Sequence, residues 1–292
     1  MDEMERGHSA KMRRRGNFYN TFRRFLRNRS AVAGTIILII LIFVALFANK
    51  IAPYDYAEQD LNRILEVPSA DHLFGTDNFG RDIFSRVIHG TRVSLAVGFV
   101  AVAIACTVGS AVGAVSAYYG GVVDLLVMRL LDILQAVPSM IMAIAVAAML
   151  GPGLDKAMIA IGVTMIPRFA RVTRAAVLSI KETEYVEASR AMGATDLRII
   201  VTQLLPNSLA PIIVQITISM ALAILQAASL SFVGLGVQPP QPEWGSMLSA
   251  ARGYITTSWH FALFPGLAIM ISVISINMIG DGLRDALDPR LK

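Results

Sequence analysis

Six stretches of this chain stay apolar for about as long as a helix needs to cross a bilayer: Ala31 to Ile51, Val93 to Tyr118, Leu134 to Leu150, Ala157 to Val177, Leu209 to Val233 and Phe261 to Gly280. A hydrocarbon core about 30 Å thick takes roughly 20 residues at 1.5 Å each, and a helix satisfies every backbone N–H and C=O inside such a segment. The expected fold is therefore all-α, a polytopic membrane bundle of about six transmembrane helices. Composition agrees: 55% of the 292 residues are hydrophobic and 16% charged, with a mean hydropathy of +0.59, whereas soluble domains carry about 25% charged residues. The third and fourth stretches are the weakest. Leu134 to Leu150 is short and holds Pro138, and the fourth meets Pro167 and Arg168 about halfway along, where a charge must snorkel, pair or face water.

A net charge of +5 and a pI of about 9.6 would suit a nucleic-acid partner in a soluble protein, but here the charges sort by membrane side. Lys and Arg concentrate in short cytoplasmic segments. With the N-terminus inside, 19 of the 26 Lys and Arg residues fall in the tail up to Arg29, at Arg129, between Arg168 and Arg198, and at the C-terminus. The outer loop from Pro53 to Thr91 is acidic, with Asp55, Glu58, Asp60, Glu66, Asp71, Asp77 and Asp82 against Arg63, Arg81 and Arg86. Both termini are thus expected in the cytosol. The resulting map is a basic cytosolic tail over 1–30, a first transmembrane helix over 31–52 and an extracytoplasmic loop over 53–91. A core transmembrane domain over 92–280, with a cytosolic insert at 180–207, and a cytosolic tail over 281–292 complete it. The first apolar run exceeds the 7 to 15 residues usual for a signal-peptide core and reads as a retained span. Its basic flank reads as a topogenic anchor attracted to anionic lipid rather than a nucleic-acid arm. Cys106, the single cysteine, lies inside an apolar run and reads as a packing residue.

Between the fourth and fifth runs stands the polar insert EYVEASRAMGATDLRIIVTQLLPN, Glu184 to Asn207. Glu184 to Met192 favours a helix, with Glu187 and Arg190 one turn apart on the same face. Gly193 permits the left-handed conformation that stops it, and Thr195 or Asp196 is placed to accept backbone N–H bonds at the start of a second helix that Pro206 closes. The expectation is a cytosolic helix-turn-helix presenting the small residues Ala188, Ser189, Gly193 and Ala194.

These residues resemble the EAA loop of permease subunits of ATP-binding-cassette importers, whose pattern is Glu-Ala-Ala, three residues, Gly, nine residues, then Ile-x-Leu-Pro. The chain has Glu187-Ala188-Ser189, Gly193 and Gln203-Leu204-Leu205-Pro206, departing at Ser189 and Gln203. Three more stretches narrow the likeness: HLFGTDNFGRDIFSRVIHGTRVSL from His72, SLSFVGLGVQPPQPEWGSML from Ser229 and GDGLRDALDPRLK from Gly280. They are similar to signature regions of the C-type permease subunit of dipeptide, oligopeptide and nickel importers. The resemblance implies a type I importer permease in which the insert is a coupling helix, carried by Glu184, Glu187, Ala188, Ser189, Met192, Gly193, Ala194, Thr195, Asp196 and Pro206. It also implies a bacterial inner membrane location, a second, dissimilar permease subunit, two cytosolic ATPase subunits and an extracytoplasmic binding protein, with substrate among dipeptides, oligopeptides, glutathione, nickel chelates, opines or oligosaccharides. The chain has no G-x-x-x-x-G-K-[ST], and none of its five lysines follows a glycine, so ATP and Mg would sit on partner chains and this one would bind no cofactor of its own.

Other features have plainer readings. Gly109 and Gly113 form a G-x-x-x-G face suited to close helix packing. Gln135, Ser139, Gln215, Ser219, Gln226 and Asn277 are polar residues within spans, each either lining a substrate path or satisfying a neighbouring helix. Arg168, Arg171 and Arg174 recur at helical spacing and read as snorkelling cations at a helix end, with a basic vestibule as the alternative. Arg129 and Asp132 read as a local pair. Trp244 and Trp259 suit an interfacial belt, and Phe79, Arg81, Asp82 and Trp244 are candidates for meeting the binding protein. His8, His72, His89 and His260 lack ligand spacing, so no metal site is expected. An intramembrane hydrolase would want paired carboxylates or a nucleophile and base at bilayer depth, and a stand-alone secondary transporter a buried acid and an internal repeat; the spans offer neither convincingly.

Overall fold

The computed structural model describes residues 23–287. Most of the basic tail and the end of the C-terminal tail expected from the sequence lie outside them. Among the described residues the regular structure is helical, with one isolated bridge pairing Thr76 and Asp82. The helices are α1 (Arg29–Leu46), α2 (Ala48–Ile51), α3 (Ile83–Tyr119), α4 (Gly121–Ala136), α5 (Ser139–Leu150), α6 (Leu154–Ile180), α7 (Glu184–Ala191), α8 (Asp196–Ile199), α9 (Leu205–Asn207), α10 (Leu209–Phe232), α11 (Trp244–Ala251) and α12 (Trp259–Leu287).

Four of them, α1, α3, α10 and α12, are long and apolar enough to cross a membrane, and a bent pair, α4 with α5, makes a fifth. The expected bundle of about six helices holds, and four of its spans differ in detail from their expected bounds. The third is a pair broken by 90° between Ala136 and Ser139, because Pro138 has no N–H for a helical bond and pushes Val137 into extended backbone at φ −86°, ψ 130°. The fourth, α6, runs 27 residues, about 40 Å, which is long enough to cross, but it carries more charge than the four apolar helices. The second starts ten residues before the expected position: Asp82 caps α3 by accepting the Ser85 N–H at 2.7 Å, so the last nine residues of the expected loop over 53–91 are helix. The first span likewise breaks at Phe47 before reaching Ile51.

Small residues set how closely the helices lie. Lipid gives no hydrophobic drive for helix association, so close van der Waals approach carries it. A Cβ added to Gly113 would stand 2.2 Å from the Ala170 carbonyl oxygen, and one on Gly109 would stand 2.6 Å from the Ile166 oxygen. The α3–α6 seam is the most extensive helix contact among the described residues. Val97, Ala101, Ile161, Met165, Phe169 and Ile212 fill the core beside it, with Cys106 packed at its edge as expected. Gly34 and Ala31 on α1 meet α12 in the same manner, at Ser275 and Gly282. Ile36, Ile39, Ile40 and Phe43 on α1 are exposed, as a lipid-facing surface requires.

At the N-terminal end of α3 the segment 53–82 folds into a polar knot. Asp77, fully buried, accepts the Phe79 and Arg81 N–H groups and pairs with the Arg81 guanidinium at 2.7 Å, with Arg86 at 3.5 Å. His72 Nδ1 lies 2.9 Å from Asp82. Glu243 caps α11 by accepting the Gly245 and Ser246 N–H groups, which seats Trp244 in the core with its indole N–H donating to the Val87 oxygen.

Replacing Gly113 by Val should force α3 and α6 apart at a backbone contact, at a cost of about 1–3 kcal/mol. The purified protein should melt several degrees lower in detergent, whereas Gly253→Ala, where an added Cβ meets nothing within 4 Å, should leave the melting temperature unchanged.

Candidate functional site

The helix-turn-helix sits where α3 and α6 end, at the opposite end of α3 from the 53–82 knot. Helix α7 forms over Glu184–Ala191, with Glu184 and Glu187 in its first turn and Arg190 in its last, each sign matched to the helix dipole. One residue anchors it. Val186 is fully buried with Ala114 and Ala117 of α3, Val177 of α6, and Ile199, Ile200 and Leu204. Glu184, Tyr185, Glu187 and Ala188 remain exposed on the opposite side, and Met192 is 80% exposed.

The turn matches the glycine expected there. Ala194 N–H donates to the Ser189 oxygen and Gly193 N–H to the Arg190 oxygen, with Gly193 at φ +79°. This is a Schellman closure. A Cβ on Gly193 would meet nothing within 4 Å, so the demand for glycine is conformational. A concave surface of about 320 Å³ lies inside the elbow, lined by residues that include Ser189, Met192, Gly193, Ala194 and Gln203.

Three details differ from expectation. Neither Thr195 nor Asp196 caps α8 through its side chain; Asp196 instead accepts the Tyr118 hydroxyl at 2.7 Å. Among the described residues Glu187 and Arg190 form no ion pair, and the Arg190 guanidinium lies over the Tyr118 ring at 5.4 Å. Both contacts tie the loop to the end of α3, which a local pattern does not reveal. Pro206 does not close the second helix: a π turn over Ile200–Leu204, with Leu205 N–H donating to Ile200, widens the backbone just before it. The chain then continues through Ser208 into α10.

The polar span residues divide into three sets. Gln135 and Ser139 line a cavity of about 320 Å³ at the α4–α5 elbow, together with Pro138, Thr164, Pro167 and Arg168. Gln226 joins them, its Nε2 donating to Ser139 at 3.3 Å, while its Oε1 is buried without a hydrogen-bond partner. Gln215 and Ser219 bond each other at 2.9 Å. Asn277 stands exposed on α12, apart from both.

Two of the three α6 arginines are held in ion pairs rather than standing as free snorkelling cations at a helix end, while Arg168 is exposed and forms none among the described residues. Arg174 forks onto Asp124, with Nε at 2.6 Å, and Arg171 pairs with Asp132 at 2.6 Å. Asp132 therefore belongs chiefly to Arg171, with Arg129 at 3.9 Å.

At the far end, three of the four residues expected to face a binding protein are internal. Trp244 is fully buried, Arg81 is held by Asp77, and Asp82 is used by the α3 cap and His72. Phe79 is 44% exposed, with the Arg81 guanidinium 4.7 Å from its ring centre. A groove of about 370 Å³ runs beside it, past Arg86, Pro240 and Gln241. The other tryptophan, Trp259, is exposed as an interfacial residue would be.

Comparison with known proteins bears on this arrangement. Residues 109–292 match the family model described as "Binding-protein-dependent transport system inner membrane component", and residues 17–68 match "N-terminal TM domain of oligopeptide transport permease C". The chain is 49% identical to the "Dipeptide transport system permease protein DppC" of Alkalihalophilus pseudofirmus, over 93% of this chain and 89% of the relative. It is 47% identical to the "Di/tripeptide transport system permease protein DppC" of Pseudomonas aeruginosa, over 92% and 90%. It is 44% identical to the "Glutathione transport system permease protein GsiD" of Pectobacterium atrosepticum, over 93% and 90%. Among solved structures it is similar to a chain of the MetNI methionine ABC transporter in an inward-facing conformation, with a TM-score of 0.57 and 25% identity over 70% of this chain and 96% of that one. A helical bundle with a helix-turn-helix at one end, matched over nearly its whole length by such relatives, belongs to the binding-protein-dependent transport system inner membrane components, the permease subunits of ABC importers.

Proposed function

We propose that this chain is one of two dissimilar permease subunits of an ATP-driven importer for short peptides, and that α7 is where separate ATPase chains act on it. The observation that carries the reading is the build of the loop. A capped helix exposes Glu184, Glu187, Ala188 and Met192 on one side and is pinned by Val186 into the ends of α3 and α6 on the other. A partner gripping the exposed face acts on the spans directly, because the anchor is packed rather than tethered. Ser189, Gly193, Ala194, Thr195, Asp196 and Pro206 shape the elbow.

The charge asymmetry supports an orientation with the loop and both termini in the cytosol. The 53–82 knot then faces outward, and the groove beside Phe79 is the surface offered to a substrate-binding protein. Gln135, Ser139 and Gln226 at the elbow form this chain's part of the path, to be completed by the second permease. Gln215, Ser219 and Asn277 take a smaller share, the first two being satisfied by each other. The relatives named for dipeptide, di/tripeptide and glutathione transport support short peptides as the substrate class.

Gly193→Val places a β-branched residue at φ +79°, where L-residues lose about 1–2 kcal/mol, and Glu187→Lys reverses the charge in the first turn of α7. In the assembly reconstituted with its ATPase chains and binding protein, each should lower peptide uptake about tenfold while the chain still inserts in normal amount. Uptake and ATPase stimulation surviving both changes would sink the assignment of α7.

Phe79→Ala should weaken activation by the liganded binding protein, seen as about a tenfold rise in the concentration giving half-maximal ATPase activity, with the melting temperature unchanged. Trp244→Ala should do the reverse, costing about 3–5 kcal/mol of stability through the cavity it leaves.

A further inference from the structure

Helices α4 and α6 run antiparallel along their facing charges. Asp124 meets Arg174, and eight residues further along α4 Asp132 meets Arg171, three residues back along α6. The next step on each helix brings Gln135 and Arg168 to the same cavity. The ladder thus has three guanidinium groups at helical spacing and two carboxylates, and its third rung holds an amide. Among the described residues Arg168 forms no ion pair within 4 Å. It stands roughly 20 Å from either end of α6, where a guanidinium without a carboxylate is costly unless water or a ligand meets it.

The surroundings add acceptors. Pro167 has no N–H, so the carbonyl of Val163, four residues back and lining the cavity, lacks its helical donor. Ser139 and Gln135 line the opposite wall, and Gln226 holds Ser139 from behind it through its amide nitrogen. One wall therefore presents a cation, and the others present carbonyl oxygens and amides.

The geometry points to this elbow as a contact station for the free C-terminal carboxylate of a translocating peptide, held by Arg168 across the open third rung, with Gln135 and Ser139 facing the peptide backbone. A planar guanidinium suits a carboxylate better than a point charge does. The inference rests on the peptide-importer reading above and adds which end of the cargo this chain recognises and by which residue.

The test uses the complete assembly in proteoliposomes, with its binding protein and radiolabelled dialanine, and reads dialanine carried per ATP hydrolysed. Arg168→Gln removes the cation, and Gln135→Glu supplies an internal carboxylate to the third rung. Each is expected to lower the ratio about tenfold, the scale of a lost charge-assisted bond, and Arg168→Lys to retain part of it. A dipeptide bearing a diazirine on its C-terminal residue is expected to label the unmodified chain within 134–142 or 163–168. Unchanged ratios in both Arg168→Gln and Gln135→Glu overturn the inference. So does labelling of the elbow by a diazirine lipid but not by the dipeptide, which would make Arg168 a headgroup contact. An unmodified assembly that hydrolyses ATP on stimulation yet carries no dialanine removes the peptide-importer reading itself, a result distinct from peptide transport that ignores Arg168.

Discussion

The seam between α3 and α6 is the contact on which the functional geometry depends. Gly109 and Gly113 let the backbone of α6 at Ile166 and Ala170 approach without a side chain between them, in a solvent that gives two apolar helices little other reason to associate. The same pair of helices ends at the pocket of Ala114, Ala117 and Val177 that receives Val186. The face of α6 turned away from α3 carries the arginines that meet α4. A shift in this seam displaces the loop anchor and the elbow together.

Polar groups within the bundle are handled by pairing. Asp124 takes both branches of the Arg174 guanidinium and the Ser116 hydroxyl; removing either ionic partner would strand a partly buried charge. The knot over 53–82 solves the same problem near the other end, where buried Asp77 serves two arginines and two backbone N–H groups. Arg81 and Asp82 are therefore structural within this chain, whereas Asp55, Glu58, Asp60 and Asp71 keep an acidic surface on the same loop.

Much of this was legible in the sequence because it is local. Apolar length marks the spans, the G-x-x-x-G spacing marks the α3–α6 seam, and Gly193 marks the Schellman closure. What was not legible depends on distant partners. Asp132 looks like a mate for Arg129 one turn away, but an arginine 39 residues further on is closer. Trp244 looks interfacial until the Glu243 cap turns it inward beneath Val87. Pro206 looks like a terminator, yet one π turn absorbs it. Asp196 looks like a cap until Tyr118, 78 residues earlier, reaches it. The bend at Pro138 was flagged by the proline, whereas its 90° angle and the packing of α5 against α6 are not written in a local pattern.

Under the coupling reading, the position of Pro167 gains a mechanical meaning. A push on α7 enters α6 at Val177 through Val186 and runs along about 15 Å of helix before reaching the proline. Arg174 and Arg171 lie on that segment, and their pairs oblige α4 to move with it. At residue 167 one helical hydrogen bond is missing, so bending costs least there. Arg168, the first guanidinium beyond the paired rungs, sits beside that weak point. Motion delivered to the loop is therefore spent where α6 forms a wall of the elbow cavity, turning the one unpaired cation of the ladder rather than distorting the glycine seam behind it.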